Sequence, residues 1–121
     1  MITFVCPGPQ CSTNQGYATA RGRRGMYLTA AGAEFKARIQ IAARQAFRRI
    51  KPSTKEFEVR AVYYFKSKKS DCDGPSKFVL DSLEGIAYGN DSQVVRFVAE
   101  KKLDRLNPRT VIQVMELYEE A

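Results

Sequence analysis

The feature that most constrains the fold is the alternation of side chains in the segment FEVRAVYYF, residues 57–65. Every second position is apolar or aromatic, at Phe57, Val59, Ala61, Tyr63 and Phe65. Successive side chains of a β-strand point to opposite faces of a sheet, so this pattern predicts a strand with one face buried. A sheet with helices packed against it is the expected setting for such a strand.

Other patterns on both sides of this strand predict the remaining elements. In chain order these are a strand at 2–6, a loop at 10–25, a helix after Thr29 that ends at Pro52, the strand at 57–65, a helix from Pro75 to Gly85, and strands at 94–98 and 110–118. The apolar positions of the last segment do not alternate cleanly, so helix stays open as an alternative there. The order predicts an α+β fold with a mixed β-sheet and two packed α-helices, in a single small domain over residues 1–121.

The helix after Thr29 is predicted to bury one apolar stripe, at Phe35, Ile39, Ala42, Ala46 and Ile50. Its other faces carry lysines and arginines, which suit a nucleic-acid surface and a solvated face equally well. The loop before the helix is expected to be mobile, because Gly, Ser, Thr, Asn and Arg predominate in it. This loop contains three candidate phosphate contacts that could become ordered on a partner, Arg21, Arg23 and Arg24.

Composition restricts both the chemistry and the partners. Lys and Arg (20) exceed Asp and Glu (13), a formal net charge of +7 that favours a polyanion such as a nucleic acid. The absence of histidine excludes a serine or cysteine nucleophile paired with a histidine base, and every histidine-ligated metal site. The three cysteines include no Cys-x-x-Cys pair and are expected to be free thiols. No apolar run approaches the roughly 20 residues that cross a bilayer, so we expect a cytoplasmic protein with no membrane partner.

The segment KSKKSDCDGPSK, residues 66–77, places two carboxylates between lysines and the start of a predicted helix. Asp71 and Asp73 can point toward a common space, where two like charges about 4 Å apart cost on the order of 4 kcal/mol at an effective dielectric near 20. A divalent cation would offset this repulsion. Mg²⁺ suits such a site, because it is commonly held by one or two carboxylates together with substrate phosphate oxygens.

Each of these charged residues also has a purely structural interpretation. Asp73 stands where a helix N-cap is favoured, and Lys77 could pair with Asp73 and Asp81, its i−4 and i+4 neighbours on one helix face. Asp91 lies in a turn, where aspartate is common. In the functional interpretation, the Lys77 ammonium stabilises negative charge at a phosphate, since the pKa of lysine is too high for a base at neutral pH.

The spacing of these residues within 70–102 resembles that of the RusA family of Holliday junction resolvases. The resemblance rests on Asp71-x-Asp73, Lys77, Asp81, Leu83, Gly85, the segment Asn90-Asp91-Ser92-Gln93-Val94-Val95, and Lys101. A weaker likeness covers the family's N-terminal loop and the beginning of its first helix, at Ser12-x-Asn14, Tyr17 and Tyr27-Leu28-Thr29-x-x-Gly32.

The resemblance implies a homodimeric endonuclease, dependent on Mg²⁺ or Mn²⁺, that binds four-way DNA junctions and nicks two strands symmetrically in DNA recombination and repair. By that likeness, Asp71, Asp73 and Asp91 would hold the metal and activate water, and Lys77 would assist at the phosphate. Contacts to DNA are expected from the arginine loop and the flanking lysines, namely Arg21, Arg23, Arg24, Lys66, Lys68, Lys69, Lys101 and Lys102.

Two positions depart from the family pattern. Gly74 stands where asparagine is usual, and Asn90 where a first aspartate is common. Neither change removes a presumed metal ligand, so activity is expected to be retained. Two other functions stay open at this point: a basic DNA-binding protein without catalysis, in which the aspartates only cap and turn, and a nuclease for other branched DNA.

Overall fold

The computed structural model describes residues 1–19 and 26–117, and within these ranges the chain forms six strands and three α-helices. The helices are α1 (Thr13–Gly16), α2 (Ala30–Ala46) and α3 (Ser76–Leu83), and a single 3-10 turn covers Asp91–Gln93. The strands are β1 (Ile2–Pro7), β2 (Tyr17–Thr19), β3 (Met26–Leu28), β4 (Glu56–Phe65), β5 (Val94–Leu103) and β6 (Arg109–Leu117). None of these helices is long and apolar enough to cross a membrane.

Four strands form one mixed sheet in the order β1-β6-β4-β5. β4 pairs in parallel with β5, and the other two pairings are antiparallel. β2 and β3 form a separate two-stranded ribbon. The predicted α+β fold with a mixed sheet is therefore confirmed. The last segment is a strand rather than a helix, although Tyr118, where that prediction ended, lies outside the described residues.

The buried face of β4 is the centre of the hydrophobic core, as its alternation predicts. All five alternating positions of this strand are buried, and Tyr63 is fully so. They share one cluster with the buried side chains of α2 and α3, in which the rings of Phe35 and Phe78 meet edge to face with centroids 5.7 Å apart. Full burial of an apolar side chain of this size contributes about 1.5–3 kcal/mol, so this face fixes the position of α3 on the sheet.

α2 begins where the sequence predicts and ends early. Thr29 caps it, because its Oγ1 accepts a hydrogen bond from the backbone N–H of Gly32 at 3.2 Å. The helix stops at Ala46, and a turn with a left-handed φ of 70° at Arg49 follows. Ile50 is 51% exposed, so the prediction that it continues the apolar stripe is wrong.

The predicted mobile loop is wrong for its described part, where the chain forms α1 and β2. The hydroxyl of Ser12 caps α1 by accepting a hydrogen bond from the backbone N–H of Gln15 at 3.3 Å. The three candidate phosphate contacts of this loop lie outside the described residues: Arg21, Arg23 and Arg24.

Contact between two glycines holds α1 against the rest of the fold. The backbone N–H of Thr29 donates to the carbonyl oxygen of Gly16 at 2.8 Å, which brings the first turn of α2 onto the end of α1. A Cβ atom on Gly32 would overlap the backbone of Gly16, and one on Gly16 would overlap the ring of Phe78. Both positions therefore require a residue without a side chain.

We expect Gly32→Ala to destabilise the protein, although alanine is the better helix former. The added methyl meets backbone rather than a flexible side chain, and such overpacking costs about 1–3 kcal/mol. Urea denaturation should show a lower midpoint with an unchanged slope. Gly89→Ala is the matched control, since a Cβ there meets only Gln93 Oε1, at 3.5 Å. Equal stability of the two variants would contradict the glycine contact.

Candidate active site

The acidic segment that follows β4 folds back along β5. The Lys101 ammonium on β5 donates to the carbonyl oxygens of Lys68 and Ser70, at 3.1 and 3.0 Å. Further along the loop, the Cys72 thiol donates to the carbonyl oxygen of Ala99 at 3.2 Å. These contacts fix the loop on either side of Asp71.

The N-terminal segment docks on the other side of this loop through Gly74. Both the backbone N–H and the hydroxyl of Thr13 donate to the carbonyl oxygen of Gly74, at 2.9 and 3.1 Å. A Cβ on Gly74 would lie 3.3 Å from the Cβ of Ser12 and 3.3 Å from the carbonyl oxygen of Asp71. Glycine at this position thus permits the close approach, which gives a physical reason for this departure from the family pattern.

The carboxylate of Asp73 does not cap α3, so the structural interpretation of this residue as an N-cap is wrong. Pro75 occupies the N-cap position and makes no side-chain capping bond. The backbone carbonyl of Asp73, not its side chain, accepts from the N–H of Ser76 at 3.1 Å. Asp71 and Asp73 are both exposed, and neither carboxylate has a hydrogen bond or ion pair within residues 1–19 and 26–117. Both are available to a ligand.

A groove of about 570 Å³ separates the docked segment 9–15 from the acidic loop. Asp71 and Asp73 line it together with the two nearby lysines Lys66 and Lys69. The groove therefore combines oxygen ligands for a hard cation with positive charge for a phosphate.

Lys77 forms the predicted ion pair with Asp81 and not one with Asp73. Its ammonium lies 3.2 Å from Asp81 Oδ2, and Tyr17, stacked on Phe78 with centroids 5.1 Å apart, donates its hydroxyl to the same oxygen at 3.4 Å. The hydrogen bond from Lys77 to Asp81, with the charge of that carboxylate, raises the pKa of Lys77. The pKa of Tyr17 is raised first by burial of its side chain and then by the negative charge of Asp81.

Asp91 belongs to a second acidic group at the other end of α3. Carboxylate oxygens of Asp81, Glu84 and Asp91 all lie within 4.8 Å of one another. The backbone N–H of Asp91 also donates to Glu84 Oε1 at 3.0 Å. In the described part of the chain, this is the one set of three acids so close together, and Asp71 and Asp73 are not part of it.

The turn that carries Asp91 is capped by its neighbour. Asn90 Oδ1 accepts a hydrogen bond from the backbone N–H of Ser92 at 2.8 Å, so Asn90 is the N-cap of this turn. The carboxylate of Asp91 is therefore not needed as the cap. Gln93 anchors the turn, because its Nε2 donates to the carbonyl oxygens of Ser53 and Lys55, both at 2.8 Å.

The structure thus distributes the predicted site residues along α3. Asp71 and Asp73 precede the helix, Lys77 lies in its first half, and Asp91 follows it. A shared metal site of the three aspartates stays a prediction. Sequence reasoning missed Glu84, whose position three residues after Asp81 and just before the turn at Gly85 is the signal that could have placed it near Asp81.

The predicted DNA-binding lysines do not share one surface. Lys101 and Lys102 are consecutive residues of β5, opposite Tyr63 and Tyr64 of β4, so their side chains point to opposite faces of the sheet. Lys102 is on the face away from the core, with its ammonium 5.8 Å from the ring centroid of Tyr64. DNA contacts by these lysines, and by Lys68, stay predictions.

An α+β domain that sets exposed carboxylates among lysines along one groove has side chains that can bind and act on a phosphodiester. The family model described as endodeoxyribonuclease RusA matches residues 7–115, and the chain therefore belongs to the RusA family of endodeoxyribonucleases. No curated protein matches the chain.

We expect Asp81→Asn to lower the pKa of both Lys77 and Tyr17. The substitution removes the negative charge and the carboxylate hydrogen bond that raise both values, while burial keeps the pKa of Tyr17 above its ordinary value. NMR titration of the Lys77 and Tyr17 side chains measures the two shifts. Glu100→Gln, the same loss of charge on β5 instead of α3, is the control. An unchanged pKa of Lys77 in Asp81→Asn would show that the ion pair is absent in solution.

Proposed function

We propose that the protein is a Mg²⁺- or Mn²⁺-dependent endonuclease that resolves four-way DNA junctions by paired, symmetric nicks. The observation that carries this proposal is that, in a chain of the RusA family, two exposed carboxylates without protein partners in the described residues border a lysine-lined groove. A carboxylate kept for structural reasons is expected to cap a helix or to form an ion pair, and in the part of the chain that the structure describes Asp71 and Asp73 do neither.

The donor set fits a hard divalent cation. Asp71, Asp73 and Asp91 would hold it, and all three offer only carboxylate oxygens, which Mg²⁺ and Mn²⁺ prefer. Mg²⁺ holds its direct ligands at about 2.0–2.1 Å and keeps several waters, so one or two of these carboxylates would bind it directly and the remaining one through a bound water. When bound, the ion supplies charge stabilisation at the scissile phosphate and a water of lowered pKa.

Lys77 acts in this proposal as a fixed positive charge. Its pKa is raised by Asp81, so the ammonium stays protonated throughout the neutral range and cannot act as a base. The same ion pair limits the directions in which the side chain can extend. Lys77 would therefore stabilise the extra negative charge that develops on the phosphate during attack by water.

The basic residues attract DNA, and the two-fold symmetry of a homodimer would match that of a four-way junction. A net charge of +7 outweighs the local acids at long range, so DNA is drawn to a site whose chemistry depends on anions. The loop and strand lysines Lys66, Lys68, Lys69, Lys101 and Lys102, together with the arginine loop, would contact phosphates. A cytoplasmic homodimer would present two such sites to the two continuous strands of a junction.

We expect Asp71→Asn, Asp73→Asn and Asp91→Asn each to reduce junction cleavage by about 100-fold or more, because each removes a ligand charge from the metal site. Affinity for the junction should be unchanged or higher, since each variant is less negative. The assay uses a synthetic four-way junction with Mg²⁺ and scores paired nicks and gel-shift binding together. Glu34→Gln, a charge change at a side chain 75% exposed on α2, should cleave normally. Full activity of Asp71→Asn would refute the assignment, and binding without cleavage in any divalent metal would indicate a non-catalytic protein.

The two acidic groups can be separated by metal binding in the absence of DNA. We expect Asp73→Asn and Asp91→Asn to weaken Mn²⁺ binding by about tenfold or more, and Glu84→Gln to change it far less, because Glu84 is outside the proposed ligand set. Mn²⁺ electron paramagnetic resonance measures the free ion directly. The opposite pattern, with loss in Glu84→Gln and retention in Asp73→Asn, would place the ion at Asp81, Glu84 and Asp91.

A further inference from the structure

The groove beside the acidic loop has two chemically different walls. One wall carries the charged residues already described, and the other carries the hydroxyl and amide side chains of 12–15. Its volume of about 570 Å³ falls in the range of roughly 300–1,000 Å³ typical of pockets for small ligands. A base-paired duplex is too wide to enter such a groove, whereas a single nucleotide is not.

The uncharged wall is held in place by hydrogen bonds to three parts of the fold. Gln10 Nε2 donates to the carbonyl oxygens of Tyr64 on β4 and Arg109 on β6, at 3.1 and 2.6 Å. Thr13 is bound to Gly74 as described above, and the carbonyl oxygen of Gln15 accepts from Thr29 Oγ1 at 2.8 Å. A wall whose backbone is fixed in this way has little backbone ordering cost on binding, and only its side chains become ordered.

Asn14 and Gln15 are exposed on this fixed wall, and their amide groups are unused. Within residues 1–19 and 26–117, neither side-chain amide takes part in a hydrogen bond, although the backbone of Gln15 makes three. An amide carries both a donor and an acceptor, the combination that pairs with the edges of nucleobases. Such amides also read the major-groove edge of paired bases, so it is the size of the groove, together with these amides, that favours a single unpaired base.

We propose that this groove binds one unpaired nucleotide of the DNA substrate, the nucleotide next to the scissile phosphate. Its phosphate lies toward Lys66 and Lys69, and its base edge pairs with the amides of Asn14 and Gln15. This inference rests on the proposed nuclease function and deepens it. Extracting a nucleotide from an intact duplex costs unpairing and unstacking energy, which is smaller at a branch point. The groove would thus contribute to the preference for branched over linear DNA.

The test uses junctions with 2-aminopurine at the branch-point nucleotides and with Ca²⁺ in place of Mg²⁺, so that binding is measured without cleavage. Wild-type protein should raise the fluorescence of one 2-aminopurine position on each of the two nicked strands by about threefold or more, as expected for an unstacked base. The double variant Asn14→Ala/Gln15→Ala should lose this rise while its junction affinity falls by less than about threefold, because phosphate contacts dominate affinity. Asn107→Ala, an exposed amide in the turn between β5 and β6, is the control and should behave as wild type.

Abasic substitution at the responding nucleotide provides a second, independent readout. Removing the base should slow wild-type cleavage and leave Asn14→Ala/Gln15→Ala unaffected, because the two changes remove the same interaction. Additive losses would overturn the proposal, as would the same fluorescence rise in the double variant or no rise in the wild type. Paired nicking by wild type without a fluorescence rise would refute this inference alone. A rise without nicking would refute the nuclease function and leave the nucleotide site in place.

Discussion

The parallel pairing of β4 with β5 is the constraint on which the candidate site depends. Parallel neighbours cannot be joined by a tight turn, so the chain must return from the end of one strand to the start of the next. Residues 66–93 make this return, and every residue of the proposed catalytic set is in it: Asp71, Asp73, Lys77 and Asp91. α3 has 8 residues and is about 12 Å long at 1.5 Å per residue. Asp71 and Asp73 therefore leave the backbone before one end of this helix, and Asp91 leaves it after the other end.

The two departures from the family pattern each have a local physical reason. Gly74 has no side chain to oppose the approach of Ser12 and Thr13, so the N-terminal segment closes over the loop and creates the second wall of the groove. The side chain of Asn90 caps the 3-10 turn, so the carboxylate of Asp91 is not needed as the cap. Neither substitution removes an acid from the proposed metal set. The change at 74 is accommodated by backbone geometry and the change at 90 by a side-chain cap, and the proposed ligands Asp71, Asp73 and Asp91 are all retained.

The sequence predicts the parts of this protein that depend on local pattern. The alternation from Phe57 to Phe65 identifies the central strand because burial of one face demands it, and the cap at Thr29 is equally local. The small helix at 13–16 could not be predicted, because it depends on contacts between Gly16 and residues distant in sequence. The grouping of Asp91 with Asp81 and Glu84 could not be predicted either, since it depends on how the turn at 90–93 packs against the end of α3.

Electrostatics explains why an acidic site persists in so basic a chain. Asp81 has partners in Lys77 and Tyr17. Glu84 and Asp91 lie within 4.8 Å of Asp81 and of each other, and among the described residues Lys77 is the one lysine in an ion pair with this group. Two like charges at this spacing repel by about 1 kcal/mol in water and by several times more at a protein surface, so such groups persist without a cation only while solvent screens them. Binding of a polyanion would exclude that solvent and strengthen the repulsion. In the proposed function, a cation held by Asp71, Asp73 and Asp91 would offset part of this repulsion through Asp91, which would couple substrate binding to metal binding before any chemistry occurs.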